Sequence, residues 1–379
     1  MSEITLDIIR EIAQPSPSKI ILLVMDGLGG LPHPQTGKTE LETARTPNLD
    51  RLAATGICGL TEPVAPGITP GSAPGHLALF GYDPVKYTIG RGILEAVGID
   101  FAVQRGDVAA RGNFCTIDEA GRVTDRRAGR LSDDKCIELC KLLDGQTIDG
   151  VKIFVRSVRE HRLVVVMSGE RLVPDVSDSD PQKTGVTPLT ISAHSPAAEK
   201  LAKVANEFLG RAKKLLAKHH PANMVLLRGF SQHPDLPTLS EIFKLKPAAI
   251  ASYPMYRGLA KLVGMDVLKT GKTIEEEIQT LKQNYANYDF FFIHIKGTDT
   301  GGEDGNFEAK VKVIENVDRL VPEVTALNPD VIVVAGDHST PATFKGHTWH
   351  PVPFLLSSRW CRPSDITKFS EAACATTSL

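Results

Sequence analysis

The sequence predicts an α/β fold in which a mainly parallel sheet is flanked by helices. Two observations support this fold class. First, mainly apolar, strand-like runs occur at 19–25, 288–295 and 331–334, and such runs are typical of strands buried on both faces of a parallel sheet. Second, segments with the spacing of amphipathic helices, such as 197–218 and 273–285, alternate with strand-like runs, as they do in α/β proteins.

The composition is that of an ordinary globular protein that binds neither nucleic acid nor membranes. The chain has 379 residues, of which 42% are hydrophobic and 23% are charged, which is enough for one large core and a second domain. A formal net charge of -2 provides no general attraction to nucleic acid or anionic lipid. The first 18 residues show helical spacing over 4–13 and no signal peptide, and no apolar run approaches the ~20 residues that span a bilayer.

The cysteines indicate a reducing environment. The six cysteines form no CxxC pair. Cys136 and Cys140 are four positions apart in a predicted helix, but a zinc pair there lacks partners, and ordinary helix packing explains them better. We therefore expect reduced thiols and a cytoplasmic protein.

A β-rich, arginine-rich block interrupts the strand–helix alternation from about residue 101. It contains short strand-like runs and the basic stretch 126–130, and it closes near 176–181. We therefore predict a smaller α+β domain at 106–185, inserted into a core domain formed by 1–105 and 186–379. Because a run of charges most often forms a solvated face, the arginines alone do not establish a binding site.

Acidic residues follow three of the predicted strands, at the positions where ligands bind in open α/β sheets. Asp26 follows the first apolar run, Asp299 the second, and Asp337 with His338 the third. Carboxylate and imidazole groups at such strand ends are suited to a divalent metal ion. The alternative is a residue that only stabilises a turn or caps a helix, and for Asp26 alone both explanations remain open.

Two further residues extend this set. His347 lies in the loop after His338, and Ser72 lies in the Gly- and Pro-rich segment 65–76, near the start of a predicted helix. The positive end of a helix favours a phosphate group, although Ser72 by itself is explained more simply as an N-cap residue. Three strand-end acidic residues, a histidine and a loop serine together predict two metal ions that orient a phosphate and activate the serine.

These residues lie in motifs that resemble those of a known family. From about 18 to 358, the sequence resembles the archaeal-type, cofactor-independent phosphoglycerate mutases of the alkaline phosphatase superfamily. The resemblance rests on these motifs: 24–30 (VMDGLGG), 69–72 (TPGS), 76–84 (HLALFGYDP), 90–96 (GRGILEA), 111–114 (RGNF), 125–130 (DRRAGR), 160–162 (EHR), 177–181 (SDSDP), 294–296 (HIK), 335–340 (AGDHST) and 351–353 (PVP).

The resemblance implies an alkaline-phosphatase-like core sheet flanked by helices and an intramolecular phosphotransferase activity. The family interconverts 3-phosphoglycerate and 2-phosphoglycerate, a step of glycolysis and gluconeogenesis, through a phosphoserine and without 2,3-bisphosphoglycerate. Ser72 would be the nucleophile. Two divalent ions are expected, Mn²⁺ first, with Mg²⁺, Co²⁺ or Zn²⁺ as alternatives. Their ligands would be Asp26, Ser72, Asp337 and His338 for one ion, and Asp299, Glu303 and His347 for the other.

Glu303 is the main departure from the family, which has histidine at this position. An oxygen ligand would make the second site harder and would favour Mn²⁺ or Mg²⁺ over Zn²⁺. Alternatively, Glu303 would weaken the binding of the second ion, and the nearby His350 could compensate. A second departure is that Ala73 and Pro74 follow the serine where polar residues are more common.

The resemblance also gives the inserted block a role. An arginine-bearing domain that closes on the core would hold the substrate carboxylate and keep water away from the phosphoserine. Arg126 and Arg127 are the first candidates for this role, and His161 or Asp178 could move protons between the glycerate hydroxyls. Five further residues are expected to bind the substrate: Arg91, Arg162, Asp180, Arg257 and Lys296.

The expected function is therefore that of an isomerase acting on a small phosphorylated substrate. One alternative is a metal-dependent phosphatase of the same superfamily, because the core motifs serve both reactions. Another is a non-catalytic binding protein whose second metal site has been lost at Glu303. The basic block favours the mutase, since a hydrolase has no need to retain its leaving group.

Overall fold

The structure is a computed structural model that describes residues 6–377 of the chain. It contains two compact units, each with its own sheet. The first unit comprises the described residues up to Thr88 and those from Leu236 onward, and the second unit comprises Ile89–Asp235.

The helices and strands alternate along most of the chain. In chain order the strands are β1 (Ile20–Met25), β2 (Ile57–Thr61), β3 (Val108–Ile117), β4 (Val123–Asp125), β5 (Thr147–Ile148), β6 (Val151–Arg159), β7 (Arg162–Ser168), β8 (Met224–Ser231), β9 (Pro247–Ile250), β10 (Asp266–Val267), β11 (Phe290–Ile295), β12 (Val331–Ala335) and β13 (Val352–Ser358). The α-helices are α1 (Leu6–Ile12), α2 (Glu40–Thr43), α3 (Pro47–Thr55), α4 (Ser72–Leu79), α5 (Arg91–Gly98), α6 (Asp133–Leu143), α7 (Glu199–Leu216), α8 (Leu239–Phe243), α9 (Pro254–Leu262), α10 (Ile274–Asn284), α11 (Gly297–Glu303), α12 (Phe307–Thr325) and α13 (Glu371–Cys374).

The sheet of the first unit brings residues together that are far apart in the sequence. Its strand order is β10-β9-β11-β1-β12-β13-β2. Strand β1 is parallel to both of its neighbours, and Ile20 lies opposite Phe290 and Val331. The parallel centre predicted from the sequence is confirmed, although β13 and β2 extend the sheet in antiparallel orientation. Parallel strands end at the same edge, so the residues that follow β11, β1 and β12 are neighbours.

The central strands are apolar, with the exception of His294 in β11, because both faces of the sheet are covered. Ile21 and Phe291 are fully buried in a core that also contains Leu281 of α10 and Ile314 of α12. Burial of each such side chain contributes about 1.5–3 kcal/mol. The helices predicted at 273–285 and 4–13 are observed as α10 and α1, and positions 4 and 5 lie outside the described residues.

The second unit is an antiparallel sheet packed against helices. Its strand order is β4-β3-β7-β6-β5, and β8 also pairs with β3, where Phe114 lies opposite Val225. Helix α7, which matches the helix predicted at 197–218, contributes Leu201 and Phe208 to the core of this unit.

The boundaries of the second unit differ from those predicted for the inserted domain. The predicted segment 106–185 lies inside Ile89–Asp235, but α5 precedes it and α7 and β8 follow it. These elements belong to the unit because β8 hydrogen-bonds to β3 and α7 covers the same core. Their strand–helix character in the sequence was the same as that of the α/β core.

Cys136 and Cys140 are buried on α6 within the core of the second unit, in agreement with a packing role. Across residues 6–377, no helix has both the length and the apolar character needed to cross a membrane.

Candidate functional site

A polar cluster lies at the carboxyl edge of the sheet in the first unit. Asp26 follows β1, Asp337 and His338 follow β12, and all three side chains are fully buried. Gly27 has a φ of +64°, and a Cβ atom at this position would lie 2.4 Å from Thr340 Oγ1. Only glycine allows the chain to turn here, and this turn leaves the Asp26 carboxylate at the edge of the sheet.

The first group of possible metal ligands consists of Asp26, Asp337 and His338, whose donor atoms lie within 4.8 Å of one another. His338 Nε2 is 3.4 Å from Asp26 Oδ1 and 3.2 Å from Asp337 Oδ2. Ser72 Oγ lies 3.4 Å from the same nitrogen. Because Gly71 occupies the N-cap position of α4 and Ser72 is its first helical residue, the explanation of Ser72 as an N-cap residue is wrong.

The second group consists of Asp299, His338 and His347. His347 Nε2 is 3.4 Å from Asp299 Oδ1, and its ring stacks on that of His338 with the centroids 3.7 Å apart. Asp299 lies in α11, directly after β11, so both groups form at the same sheet edge. His338 belongs to both groups and therefore lies between them.

Glu303 and His350 lie outside both groups. Glu303 Oε1 is 3.8 Å from His347 Nε2, and its side chain is 57% exposed, so it borders the second group from solvent. His350 Nε2 lies 2.9 Å from the carbonyl oxygen of Gly30. The hypothesis that His350 compensates for Glu303 is therefore not supported, because its ring is engaged elsewhere.

The donor set suits a divalent cation. Asp26 Oδ1 is buried and, among the described residues, has no hydrogen-bond donor, although buried carboxylate oxygens nearly always have one. A cation at this position would satisfy it. Carboxylate oxygen and imidazole nitrogen together are ligands that Mn²⁺ and its neighbours in the first transition row accept.

The surroundings keep the carboxylates ionised, as cation binding requires. Burial acts to raise the pKa of Asp26, but the Lys296 ammonium and His294 outweigh burial, and the pKa lies well below its ordinary value. Burial acts in the same way on Asp299, whose pKa is nevertheless lowered to about 2, chiefly by its bond with His347. The same bond raises the pKa of His347, against the effect of burial.

Two buried histidines lie beside the carboxylates of the cluster. His294 Nε2 lies 3.0 Å from Asp26 Oδ2, and His76 Nδ1 lies 3.0 Å from Asp337 Oδ2. Partners of this kind orient metal-binding groups. Sequence reasoning missed both as site residues, although the single histidine in the apolar strand β11 was a signal that could have revealed His294.

A buried lysine joins the loops that carry the cluster. Lys310 of α12 is fully buried. Its ammonium donates hydrogen bonds to the carbonyl oxygens of Gly27 at 2.9 Å, Gly29 at 3.0 Å and Thr340 at 2.9 Å. The Thr340 hydroxyl in turn donates to Asp299 Oδ1 at 2.7 Å. Since an ammonium has three hydrogens to donate, Lys310 is fully satisfied and fixes the loop after β1 against the loop after β12.

Lys296, predicted to bind substrate, lies among the carboxylates. Its Nζ donates to Asp26 Oδ2 at 3.1 Å and to the Tyr256 hydroxyl at 3.2 Å, and it also contacts the Asp299 carboxylate. Burial lowers the pKa of Lys296, but the carboxylates raise it by more. Arg257, the other predicted substrate residue of the first unit, follows Tyr256 in α9. Tyr256 was missed by sequence reasoning.

In the second unit, Arg126 and Asp180 form a two-pronged ion pair. Arg126 Nε donates to Asp180 Oδ1 at 3.0 Å, and Nη2 donates to Oδ2 at 2.7 Å. Asp178 Oδ1 accepts a hydrogen bond from the backbone N–H of Gly229 at 2.8 Å. Arg126 is thus already paired with a carboxylate of the protein, whereas the neighbouring Arg127 is exposed.

His161 lies among positive charges. It lies in the turn between β6 and β7 and is buried. Burial lowers its pKa, and the nearby guanidinium groups lower it further, to about 4. Those groups belong to Arg162, Arg127, Arg111 and Arg130. The His161 ring is therefore neutral at neutral pH.

Two arginines missed by sequence reasoning, Arg111 of β3 and Arg228 of β8, complete an arginine cluster with Arg91 and Arg162. Burial lowers the pKa of Arg111 to about 10, and the other three guanidinium groups add to this effect, against the Glu95 carboxylate, whose Oε1 lies 3.7 Å from Arg111 Nε. The Nε atoms of Arg111 and Arg228 are buried and have no acceptor among the described residues. Such groups are suited to an anionic ligand. Arginines inside otherwise apolar strands were the available signal.

Comparison with known proteins shows what this chain resembles. The family model described as 2,3-bisphosphoglycerate-independent phosphoglycerate mutase matches residues 53–223. A probable 2,3-bisphosphoglycerate-independent phosphoglycerate mutase of Thermosipho africanus is 50% identical over 374 residues, which cover 98% of this chain and 92% of the relative. A protein of the same description from Thermus thermophilus is 49% identical over 369 residues, covering 96% and 91%.

Solved structures with the same fold agree with this result. The PH0037 protein from Pyrococcus horikoshii superposes with a TM-score of 0.81 at 28% identity and covers 94% of this chain and 92% of its own. The cofactor-independent phosphoglycerate mutase from Thermoplasma acidophilum superposes with a TM-score of 0.70 at 31% identity, covering 96% and 95%. The similarity therefore extends over nearly the full length of both structures.

Proposed function

Because the chain belongs to the 2,3-bisphosphoglycerate-independent phosphoglycerate mutase family, we propose that it interconverts 3-phosphoglycerate and 2-phosphoglycerate through a phosphoserine at Ser72. The observation that carries this proposal is the Ser72 hydroxyl, 3.4 Å from His338 Nε2 and beside two buried carboxylates. A serine hydroxyl is a weak nucleophile unless a base or a metal ion activates it, and this is the environment that such activation needs.

We assign two divalent ions to the cluster. When bound, the ions would orient the phosphate, lower the pKa of the serine hydroxyl and offset the charge that develops during transfer. Mn²⁺ is the first choice because the donor set combines several carboxylate oxygens with imidazole nitrogens. The residues that would hold the ions are Asp26, Ser72, Asp337 and His338 for the first, and Asp299 and His347, bordered by Glu303, for the second.

Ser72 itself would carry the phosphoryl group, so no 2,3-bisphosphoglycerate is required. In the first transfer a bond forms between Ser72 Oγ and phosphorus while the bond from phosphorus to the substrate oxygen breaks. In the second transfer the phosphoryl group moves to the other glycerate hydroxyl. Ser72 begins α4, and the free N–H groups of a first helical turn favour a phosphate.

We propose that the arginine cluster of the second unit binds the carboxylate and phosphate of the substrate. Arg111 and Arg228 have buried Nε atoms for which the described residues offer no acceptor, and an anionic substrate would supply one. The neutral His161 can accept a proton from a glycerate hydroxyl during the exchange. This retention of glycerate is what separates a mutase from a phosphatase.

The test is a product analysis. Purified protein with Mn²⁺ and 3-phosphoglycerate is followed by ³¹P NMR, and we expect 2-phosphoglycerate with little inorganic phosphate. Ser72→Ala should abolish turnover, whereas Ser16→Ala, at an exposed position, should not. Inorganic phosphate as the main product would identify a phosphatase, and absence of turnover in protein that binds a single ion would identify a non-catalytic member.

A further inference from the structure

We propose that Glu371 is a positioning residue for the second metal site, which it supports through the backbone of Gly30. Glu371 is the first residue of α13, far along the chain from Asp299 and before any of the site motifs would point to it. This inference rests on the proposed function, because the second ion is assigned there. The contacts run from Glu371 to Gly30, then to His350, and end at the loop that carries His347.

The segment around Glu371 is fixed on the first unit. Phe369 is fully buried in the core of this unit, and its backbone N–H donates to Asp50 Oδ1 at 2.9 Å. The backbone N–H of Ala372 donates to Glu42 Oε1 at 3.3 Å. Because these contacts lie on both sides of Glu371, its side chain extends from a segment with little freedom to move.

Both oxygens of the Glu371 carboxylate accept hydrogen bonds. Oε1 accepts from the backbone N–H of Gly30 at 3.1 Å, and Oε2 accepts from the Thr39 hydroxyl at 2.7 Å. Thr39 is the N-cap residue of α2. Glu371 therefore joins the end of the glycine-rich loop after β1 to the start of α2.

The carbonyl group of Gly30 continues the contact to the loop after β12. It lies 2.9 Å from His350 Nε2, and this nitrogen donates because a carbonyl oxygen only accepts. Burial lowers the pKa of His350, so the ring is neutral at neutral pH, and its Nδ1 accepts from the Thr348 hydroxyl at 2.7 Å. Thr348 directly follows His347, so a displacement of Gly30 is passed to the segment that carries this ligand.

The first metal site has supports that do not involve Gly30. Asp26 Oδ2 has His294 Nε2 at 3.0 Å and receives a hydrogen bond from Lys296 Nζ at 3.1 Å. These contacts stay in place when the Glu371 side chain is removed. The loss of Glu371 should therefore weaken the binding of the second ion and leave that of the first nearly unchanged.

The hydrogen bond from Gly30 does not depend on the charge of Glu371. Burial raises the pKa of Glu371 to about 7, against the hydrogen bonds from Thr39 and Gly30 and the charge of Lys310. A neutral carboxyl group keeps one oxygen that only accepts hydrogen bonds, and so does the amide group of glutamine. Glu371→Gln can therefore keep the contact with Gly30, whereas Glu371→Ala removes it.

The test is an isothermal titration of the metal-free protein with Mn²⁺. For Glu371→Ala we expect the affinity for the second ion to fall roughly tenfold, which corresponds to about 1.4 kcal/mol, and the affinity for the first ion to change by less than about twofold. Glu371→Gln should bind the second ion within about threefold of the wild type. Asp365→Ala is the control and should bind both ions as the wild type does, because Asp365 is an exposed acid of the same segment.

Hydrogen exchange of the metal-free protein tests the contact itself. Glu371→Ala should take up deuterium faster in peptides that contain Gly30, because the N–H loses its acceptor, and Glu371→Gln and Asp365→Ala should not. If Glu371→Ala does not fold, Glu371→Asp replaces it, since the shorter side chain withdraws the acceptor and keeps the charge. Unchanged exchange, or an equal loss of affinity for both ions, would overturn the positioning role.

Failure of the proposed function gives a different result. A wild type that binds a single ion overturns both the assignment of the second ion and the role of Glu371 toward it. A wild type that binds two ions, with Glu371→Ala equal to it in both affinities, overturns the role of Glu371 alone. If the wild type binds two ions but releases inorganic phosphate, the mutase proposal fails, and a selective loss of the second ion in Glu371→Ala still supports the positioning role.

Discussion

At the scale of single residues, the candidate site is distinguished by carboxylate groups that are ionised although their side chains are buried from solvent. Asp26, Asp299 and Asp337 are all buried, and an isolated buried carboxylate would be strongly destabilising. Lys296 and the surrounding histidines supply the compensation, which is visible in the lowered pKa values of Asp26 and Asp299. A bound cation would therefore add positive charge to a group of carboxylates that the protein already stabilises.

At this scale, we predict that the residue at position 303 affects the affinity for the second metal ion. Glu303 borders His347 with its oxygen 3.8 Å from Nε2, and imidazole is a better ligand than carboxylate for Co²⁺ or Zn²⁺. We expect Glu303→His to tighten the second Co²⁺ by roughly tenfold, which corresponds to about 1.4 kcal/mol. Isothermal titration of the metal-free protein with Co²⁺ measures this change.

A neighbouring acid provides the control for position 303. Glu308 is exposed in the first turn of α12, and Glu308→His should leave the affinity for the second ion unchanged. If wild type, Glu303→His and Glu303→Ala bind both ions equally well, the residue at 303 takes no part in metal binding.

At the scale of elements, the strands place the acidic residues, but the loops after them determine their geometry. The loops after β1 and β12 are joined by the backbone N–H of Thr340, which donates to the carbonyl oxygens of Gly27 and Gly29 at 3.3 and 3.1 Å. Lys310 adds three hydrogen bonds to the same carbonyl groups and that of Thr340. One helix residue thus connects both loops.

At the scale of elements, we predict that replacement of Lys310 lowers the stability of the first unit. Lys310→Met fills a similar volume but removes three hydrogen bonds from an ammonium to buried carbonyl groups, although the Thr340 N–H remains as a donor to those of Gly27 and Gly29; a hydrogen bond to a charged group contributes about 1.5–3 kcal/mol. We expect a loss on the order of 3 kcal/mol in the free energy of unfolding of the first unit, measured in urea, and weaker Mn²⁺ binding.

The neighbouring lysine of α12 is the matched control. Lys312 is exposed, so Lys312→Met should change stability by less than about 0.5 kcal/mol. If Lys310→Met were as stable as Lys312→Met and bound Mn²⁺ equally well, the ammonium would not be what holds the loops.

At the scale of the whole molecule, the two units differ in how the chain builds them. The second unit is a continuous segment, Ile89–Asp235, whereas the first is formed by two separate parts of the chain. The second unit also has its own core, which includes Phe114, Phe208 and Val225. A continuous segment with a core of its own meets the usual requirements for independent folding.

We therefore expect a fragment of residues 89–235 to fold by itself. It should give a cooperative urea transition and a near-ultraviolet circular dichroism signal. The fragment 106–185, which has the boundaries predicted from the sequence, is the control: it lacks β8 and α7 and should remain without fixed packing. Equal behaviour of the two fragments would show that β8 and α7 are not needed by this unit.

Much of the first unit could be predicted because its signals are local. The strands β1 and β12 are continuous apolar runs and β11 is apolar except for His294, and Asp26, Asp299 and Asp337 follow them closely. The meeting of these residues follows from parallel pairing. Their roles as ligands, like those of Ser72 and the arginines, stay predictions for the experiments above.

What the sequence did not reveal involves partners distant in the sequence. Arg126 pairs with Asp180, a contact that depends on how the chain folds, and its role toward substrate stays a prediction. Because β8 pairs with β3, the second unit extends to Asp235. The sequence had predicted an inserted domain that ends at 185. No local pattern distinguishes a strand of one sheet from a strand of the other.

By itself, the sequence determined the strand-end acids, the serine at a helix start and the family, since these depend on short motifs and on periodicity. Tertiary structure alone decided that His76, His294, Lys310 and Tyr256 surround them. Each of these four acts through a contact with a residue brought near only by folding, such as Lys310 with Gly27 or His294 with Asp26. Burial and hydrogen bonding between distant segments are properties of the folded chain, and a linear pattern does not contain them.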